Sequence, residues 1–407
     1  MKHSASEMRI ISLLVFLVPF LMGLGVDLYV PSLPSLVSYY HSDTGTVQRS
    51  ISLYMLGYGV GQMVLGILSD RFGRRKILLG SSLSYGIISL ICISSPTIQV
   101  LNLCRLIQGL SVGGMAVVGR AMVVDCYKGK ELAKATNYFG LSWSLGPIIG
   151  PFIGGYFEEY LSWKADFYFF GLYGLIIFGL ALARLPETNQ NLVKLNLKVT
   201  LSNIGKIIKD PVFMGMTIIG GFGYASVVLF NTMGPFLIQN VLGYSSVIYG
   251  YIALVLGASY FLGSIGNRFS VGRYPIMTLL IFGLSSALIF SLIMILIEFA
   301  AGVSLPGTVI PVLLIVFVCG FIVPNTLARS MELFAHLAGT ASSLFGSLSG
   351  VIVSLVTTFA SHLKVDSQLP MSFTYSGLML ISILLFGVCH YVDKLPAGKE
   401  KGEKLHV

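Results

Sequence analysis

Apolar residues in this chain gather in long runs, not in the alternation of strands or the narrow stripes of surface helices. Runs near the roughly 20 residues that carry a helix across a bilayer recur at 10–34, 47–69, 76–95, 98–121, 134–157, 165–186, 211–238, 246–267, 274–299, 308–328, 337–361 and 371–392. The pattern predicts an all-α membrane protein of twelve transmembrane helices. The longest polar interval, 187–210, falls near mid-chain. Within it Leu197, Leu201, Ile204 and Ile208 recur at helical spacing, with Lys198, Lys206 and Lys209 elsewhere on the turn. That spacing predicts an amphipathic helix lying on the membrane surface. The expected organisation is a six-helix bundle over 1–186, a linker over 187–210, a second six-helix bundle over 211–392 and a tail over 393–407.

The two halves echo each other. Gly66 to Arg74 reads G-I-L-S-D-R-F-G-R, and Gly263 to Arg273 reads G-S-I-G-N-R-F-S-V-G-R. Gly146 and Gly150 have counterparts in Gly346 and Gly350, half a chain further on. Such repeats imply two pseudo-symmetric bundles around a central cavity.

Composition narrows the class. The chain has 407 residues, 55% hydrophobic and 11% charged, with mean hydropathy +0.84. Soluble domains are about a quarter charged, so a soluble enzyme is disfavoured. The net charge of +9 sits in short patches between apolar runs, unlike the basic face of a nucleic-acid binder, and no nucleic-acid partner is expected. Of the Lys and Arg residues, only Arg49, Lys164 and Lys364 fall on outer segments if the N-terminus is inside, and Arg105 lies within a helix. That bias places both termini in the cytoplasm. Lys2, Arg9 and the run from Ile10 to Val26 read as an uncleaved first helix, since no small-residue cleavage site follows. Cys92, Cys104, Cys126, Cys319 and Cys389 show neither zinc spacing nor a disulfide framework and read as small hydrophobes.

Charges inside a bilayer are costly and mark function by default. Asp27 lies about 27 Å along a helix from Arg9, and Arg105 about 30 Å from Asp125. Both fall at similar depth in the outer half of the membrane. Asp27 is then either a hydrated group near the outer mouth or a carboxylate facing a closing cavity, where burial favours its protonated form. Arg105 nearby opposes that, and the tension between them couples a proton to a conformational step. Arg120 lies near the inner rim, Glu298 reads as an interface residue, and His336 and His390 are rim histidines.

Two further motifs carry geometry. Between the second and third spans, Asp70, Arg71, Arg74 and Arg75 surround Gly73. This is either a polar cluster on a tight turn or only a positive-inside stop signal. In the fifth span Gly146, Gly150 and Gly154 share one face and admit a close neighbour, while Pro147 and Pro151 each remove a backbone hydrogen bond and bend the helix. A cavity in such a bundle needs aromatic and small polar groups. Tyr29, Tyr54, Tyr58, Gln62, Phe139, Trp143, Phe222, Tyr224, Asn231 and Asn325 are the candidates, each with ordinary helix packing as the alternative. No G-x-x-x-x-G-K-[ST] loop is present, so ATP is not the direct energy source, and G-Y-G-V-G at Gly57 to Gly61 lies inside a span. The span interiors offer no converging catalytic set, and an enzyme is not expected.

The run G-I-L-S-D-R-F-G-R-R-K, Gly66 to Lys76, resembles the loop signature of the major facilitator superfamily of secondary transporters. R-L-I-Q-G (Arg105 to Gly109), L-G-P-I-I-G-P-F-I-G-G (Leu145 to Gly155) and L-P-E-T (Leu185 to Thr188) agree. The Leu145 segment resembles the antiporter motif of drug:proton exporters. D-L-Y-V-P-S-L-P, V-Q-R-S-I-S-L-Y, R-A-M-V-V-D and A-G-T-A-S-S-L-F-G are similar to the Bcr/CflA drug-resistance subfamily. The resemblance implies a proton-driven antiporter of the bacterial inner membrane, without cofactor or metal, acting as a monomer on a drug-like or small amphipathic compound. It assigns Asp27 and Arg105 to proton coupling. It makes Asp70, Arg71, Gly73, Arg74 and Asp125 a cytoplasmic gate joining the halves, and Gly146, Pro147, Gly150, Pro151 and Gly154 a seal against proton leak. The alternative within the same fold is a carrier of a physiological metabolite such as a siderophore, sugar or amino acid, in either direction.

Overall fold

A computed structural model of the chain describes residues 4–189 and 197–394. Parts of the expected linker and tail, 190–196 and 395–407, and the side chains of Leu197, Lys198 and His336 lie outside the described residues. The first half contains α1 (Ala5–Asp27), α2 (Leu33–Tyr40), α3 (Thr44–Phe72), α4 (Arg74–Ile93), α5 (Ile98–Cys126), α6 (Gly129–Tyr160) and α7 (Trp163–Arg184). After α8 (Leu197–Ile208), the second half contains α9 (Pro211–Pro235), α10 (Ser246–Ser270), α11 (Ile276–Ala301), α12 (Leu305–Leu333), α13 (Ala338–Ala360) and α14 (Leu369–Lys394). Side-chain caps from Asp43, Thr97, Asp210, Ser245 and Ser304 start five of these helices by accepting from exposed backbone N–H groups.

Among the described residues, eleven membrane-length segments are apolar enough to cross a bilayer, against the twelve expected. The twelfth long helix, α6, has 32 residues, about 48 Å. Its glycines, serines and charged first turns dilute its hydropathy. The first span also differs. It runs on to Tyr40 but breaks after Asp27 into a 3₁₀ turn, Val30–Ser32, because Pro31 and Pro34 cannot donate to a continuous helix. In the second half α9 likewise ends at Pro235 and passes into a π-helical turn, Phe236–Val241.

The halves pack alike. Pairs α3/α5, α4/α7 and α1/α6 correspond to α10/α12, α11/α14 and α9/α13, and the halves meet chiefly along α3/α13 and α6/α10. The end where α1 begins, α14 ends and α3 turns into α4 is the basic end, and the opposite one the far end. Helix α8 does not rest on a membrane surface alone. Ile204 and Ile207 pack with Phe213, Ala341, Leu344 and Phe345 beneath the α3/α13 seam, against Met63 and Ile67 of α3. Val199, Leu201 and Ile208 remain exposed.

Candidate functional site

The break after α1 places Asp27 at the helix end, facing α6 and α9. Asn231 of α9 donates from Nδ2 to Asp27 Oδ1 at 2.6 Å, so the carboxylate's hydrogen bond crosses between the halves. Around it lies a cavity of about 60 Å³, walled by α1, α6, α9, α10 and α12. That is space for a few water molecules, and a drug-sized ligand would need the walls to part. Trp143 and Tyr224 form one wall, ring centroids 6.3 Å apart, and Phe230, Tyr260 and Phe261 another. The lining includes no Lys, Arg or His.

Of the sequence candidates, Asp27, Trp143, Tyr224, Asn231, Pro147 and Pro151 line this cavity. The others stand elsewhere. Tyr29 and Tyr54 are buried in the first half, where their rings sandwich Arg105 at 4.7 and 4.2 Å. Tyr58 stands against α5 at Gly109 and Gly113, and Phe139 against Gly119. Phe222 is half-buried in the core. Gln62 accepts from Arg120 and faces Gly346 of α13, so Arg120 joins the seam between the halves. Asn325 donates to Asn267 Oδ1 at 2.7 Å and binds α10 to α12. Phe230, Tyr260 and Phe261 had no sequence signal beyond being aromatic.

Arg105 and Asp27 share a depth but point apart. Arg105 is fully buried and donates from Nη2 to Gly25 O and from Nη1 to Gln108 Oε1, both at 3.0 Å. The Gly25 carbonyl is among those left open where α1 ends. A guanidinium there satisfies it and meets the negative end of the helix dipole. Arg105 therefore fixes the end of α1, and with it the place of Asp27, without touching the carboxylate. A buried carboxylate that the sequence reading passed over, Asp166, lies further toward the far end and accepts from Ser32 Oγ at 2.7 Å. The rule that singled out Asp27, an acid inside an apolar span, applied equally to it.

At the basic end, Arg74 pairs with Asp70 at 2.6 Å and with Asp125 at 3.3 Å. Glu187 accepts from the Arg74 and Arg75 backbone N–H groups at 2.8 and 3.2 Å, starting α4. Gly73 sits at φ 98°, and a Cβ there would run into that carboxylate. Arg71 lies over the Phe72 ring and forms none of these ion pairs. Asp70 and Asp125 belong to the first half and Glu187 opens the linker just after α7. None of these partners comes from the second half, and the expected bridge between halves is absent among the described residues.

In α6 the motif glycines face α1, within the same half. Gly146 lies against Gly23, Gly150 beside Asp27 and Leu28, and Gly154 on Leu28. The other side of α6 meets α10, with Gly155 on Ser246, Pro151 on Gly250 and Ile148 on Gly257. The helix is thus pressed between the two halves at the level of the cavity.

Residues 15–358 match the major facilitator superfamily. The chain belongs to the major facilitator superfamily. An uncharacterized transporter of Rickettsia felis is 34% identical, covering 88% of this chain and 89% of the relative. A bicyclomycin resistance protein homolog of Haemophilus influenzae is 25% identical over 92% and 94%. A crystal structure of a D-xylose-proton symporter superposes with TM-score 0.72 at 15% identity, covering 93% and 97%, which is a likeness of fold. This transporter therefore has a central cavity between two six-helix bundles and is not an enzyme.

Proposed function

We propose that the transporter is a proton-coupled antiporter of the bacterial inner membrane, with its basic end and both termini in the cytoplasm, exporting drug-like or small amphipathic compounds. The observation that carries this reading is the Asp27–Asn231 hydrogen bond inside a cavity with no lining cation. An ionised carboxylate accepts a stronger hydrogen bond than a neutral one. Proton loading of Asp27 weakens the tie between α1 and α9, and a substrate entering the cavity competes for the same carboxylate. Arg105 holds the end of α1 while this exchange occurs. The relatives named for drug and bicyclomycin resistance support the substrate class, and the fold supports transport by rocking of the bundles.

The test uses vesicles with an imposed pH gradient and bicyclomycin as probe. Adding the compound should dissipate the gradient with the native protein and leave it intact with Asp27→Asn. Unchanged coupling in Asp27→Asn defeats the mechanism. Higher cellular accumulation of labelled bicyclomycin with the protein than without it defeats the direction.

A further inference from the structure

Asp166 sits in the first turn of α7, yet no backbone N–H of its own helix is capped by it. It is fully buried, in a turn whose Trp163 and Phe167 rings pack edge to face. Its Oδ2 accepts from Ser32 Oγ at 2.7 Å, and its Oδ1 has no hydrogen-bond partner. Glu158 of α6 lies near the Ser32 and Ser35 hydroxyls, and its Oε2 is likewise without a partner. Glu159 follows on α6 and accepts from Ser246 Oγ of α10 at 2.8 Å. The charged groups facing Asp166 are Glu158 from α6 and Arg105 from α5. Arg105 is already engaged with Gly25 and Gln108, and among the described residues no ion pair includes Asp166. Two ionised carboxylates in this setting would face one distant cation, with a single donated hydrogen bond on the buried one. Such burial is highly unfavourable for a second negative charge.

We propose that Glu158, Ser32 and Asp166 form a second proton-binding site, separate from the cavity, in which one proton is shared by the two carboxylates through the Ser32 hydroxyl. The geometry balances. A proton on Glu158 passes to Ser32 Oγ as the Ser32 hydroxyl proton passes to Asp166 Oδ2, leaving Glu158 ionised, Asp166 neutral and Ser32 unchanged. Glu158 is half-exposed and exchanges with far-end water, while Asp166 stores the proton out of water. The site ties the 3₁₀ turn after α1 to α6 and α7, next to the Glu159–Ser246 contact between the halves.

The test is infrared spectroscopy of the full chain in nanodiscs during a pH step, in an Asp27→Asn background so that the cavity carboxylate is silent. A protonated-carboxyl band should persist in Asp27→Asn and vanish in Asp27→Asn/Asp166→Asn. A band unaffected by Asp166→Asn, or no band in Asp27→Asn, overturns the proposal. Should the double variant fail to fold, Ser32→Ala keeps both carboxyls and removes the bridge. It should slow proton exchange at the band by about tenfold or more, and an unchanged rate overturns the relay. Loss of coupling in the transport assay is a separate readout, so this site and the role of Asp27 stand or fall independently.

Discussion

The two seams between the halves are built differently. Along α3/α13 the contact is continuous from Gly45 on Ser361 at the far end, through Gly59 on Gly350 and Ser347, to Gln62 at Gly346 and then Met63 and Ile67 above α8. That is about 33 Å of helix. Along α6/α10 the close contacts reach from Glu159 and Gly155 only to Ile148 on Gly257. Nearer the basic end α6 buries only Ala135, Phe139 and Ser142, and its remaining surface there is exposed or half-exposed. The cavity lies at that fork. A seam with glycine on both sides stays shut along its length, whereas one that loses its partner halfway makes a mouth. In the proposed cycle this difference makes α6/α10 the moving edge and α3/α13 the hinge side.

The largest expected effect falls on the continuous seam. Gly59→Val puts a side chain against the backbone of Ser347 and Val351 and should cost about 3 kcal/mol, read as a lowered thermal midpoint of the purified protein. A midpoint equal to the native one would remove the close approach from the argument. Next, Ile207→Ala empties a fully buried position beneath the same seam. A loss of about 2 to 3 kcal/mol is expected, whereas Leu201→Ala on the exposed side of α8 should change little. Equal effects at the two positions would mean that α8 rests on lipid instead.

Smaller effects compare the halves. Arg74→Ala leaves Asp70 and Asp125 facing each other and should cost about 2 kcal/mol, against about 1 kcal/mol for Asn325→Ala, which removes one neutral hydrogen bond at the matching α10/α12 joint. Chemical denaturation of the two variants checks the order. A comparably small effect is expected at the far end, where Asp43 accepts from Thr46 N–H and Oγ1 at 2.8 and 2.6 Å. These bonds hold its carboxyl below the ordinary carboxylate range. A lowered folded value means its stabilisation is present above the unfolded value, about 3.9, and disappears as pH falls through the lower folded one. Asp43→Ala should cost about 1 kcal/mol at neutral pH, and its difference from the native protein should vanish in strong acid.

Much of this architecture was legible because hydrophobic run length, Lys and Arg placement and glycine spacing act locally. Twelve long helices, the half-repeat and the mid-chain amphipathic helix all follow from them. The break after Asp27 has its signal in Pro31 and Pro34, but the apolar run does not pause there and run length alone predicts a continuous helix. What a single strand of sequence conceals is direction around a helix. Tyr29, Tyr54 and Arg105 sit at the depth of the cavity but turn into the first half's core. Asn325 turns toward Asn267, while Tyr224 and Asn231 turn inward. The Arg74 cluster was legible with Asp70 and Asp125 in it, whereas Glu187, and the fact that no partner comes from the second half, appear only in the packing. Asp166 lay in plain view inside a span.

The most direct test labels the fork itself. In a background without the five native cysteines, spin labels at Tyr138→Cys on α6 and Phe269→Cys on α10, both exposed near the basic end, report the width of the mouth by pulsed electron resonance. Lowering pH should shift the native protein's distance distribution between an open and a shorter, closed population, and Asp27→Asn should hold one distribution at every pH. A pH-dependent distance that survives Asp27→Asn unchanged would contradict the control of the α6/α10 mouth by the Asp27–Asn231 contact.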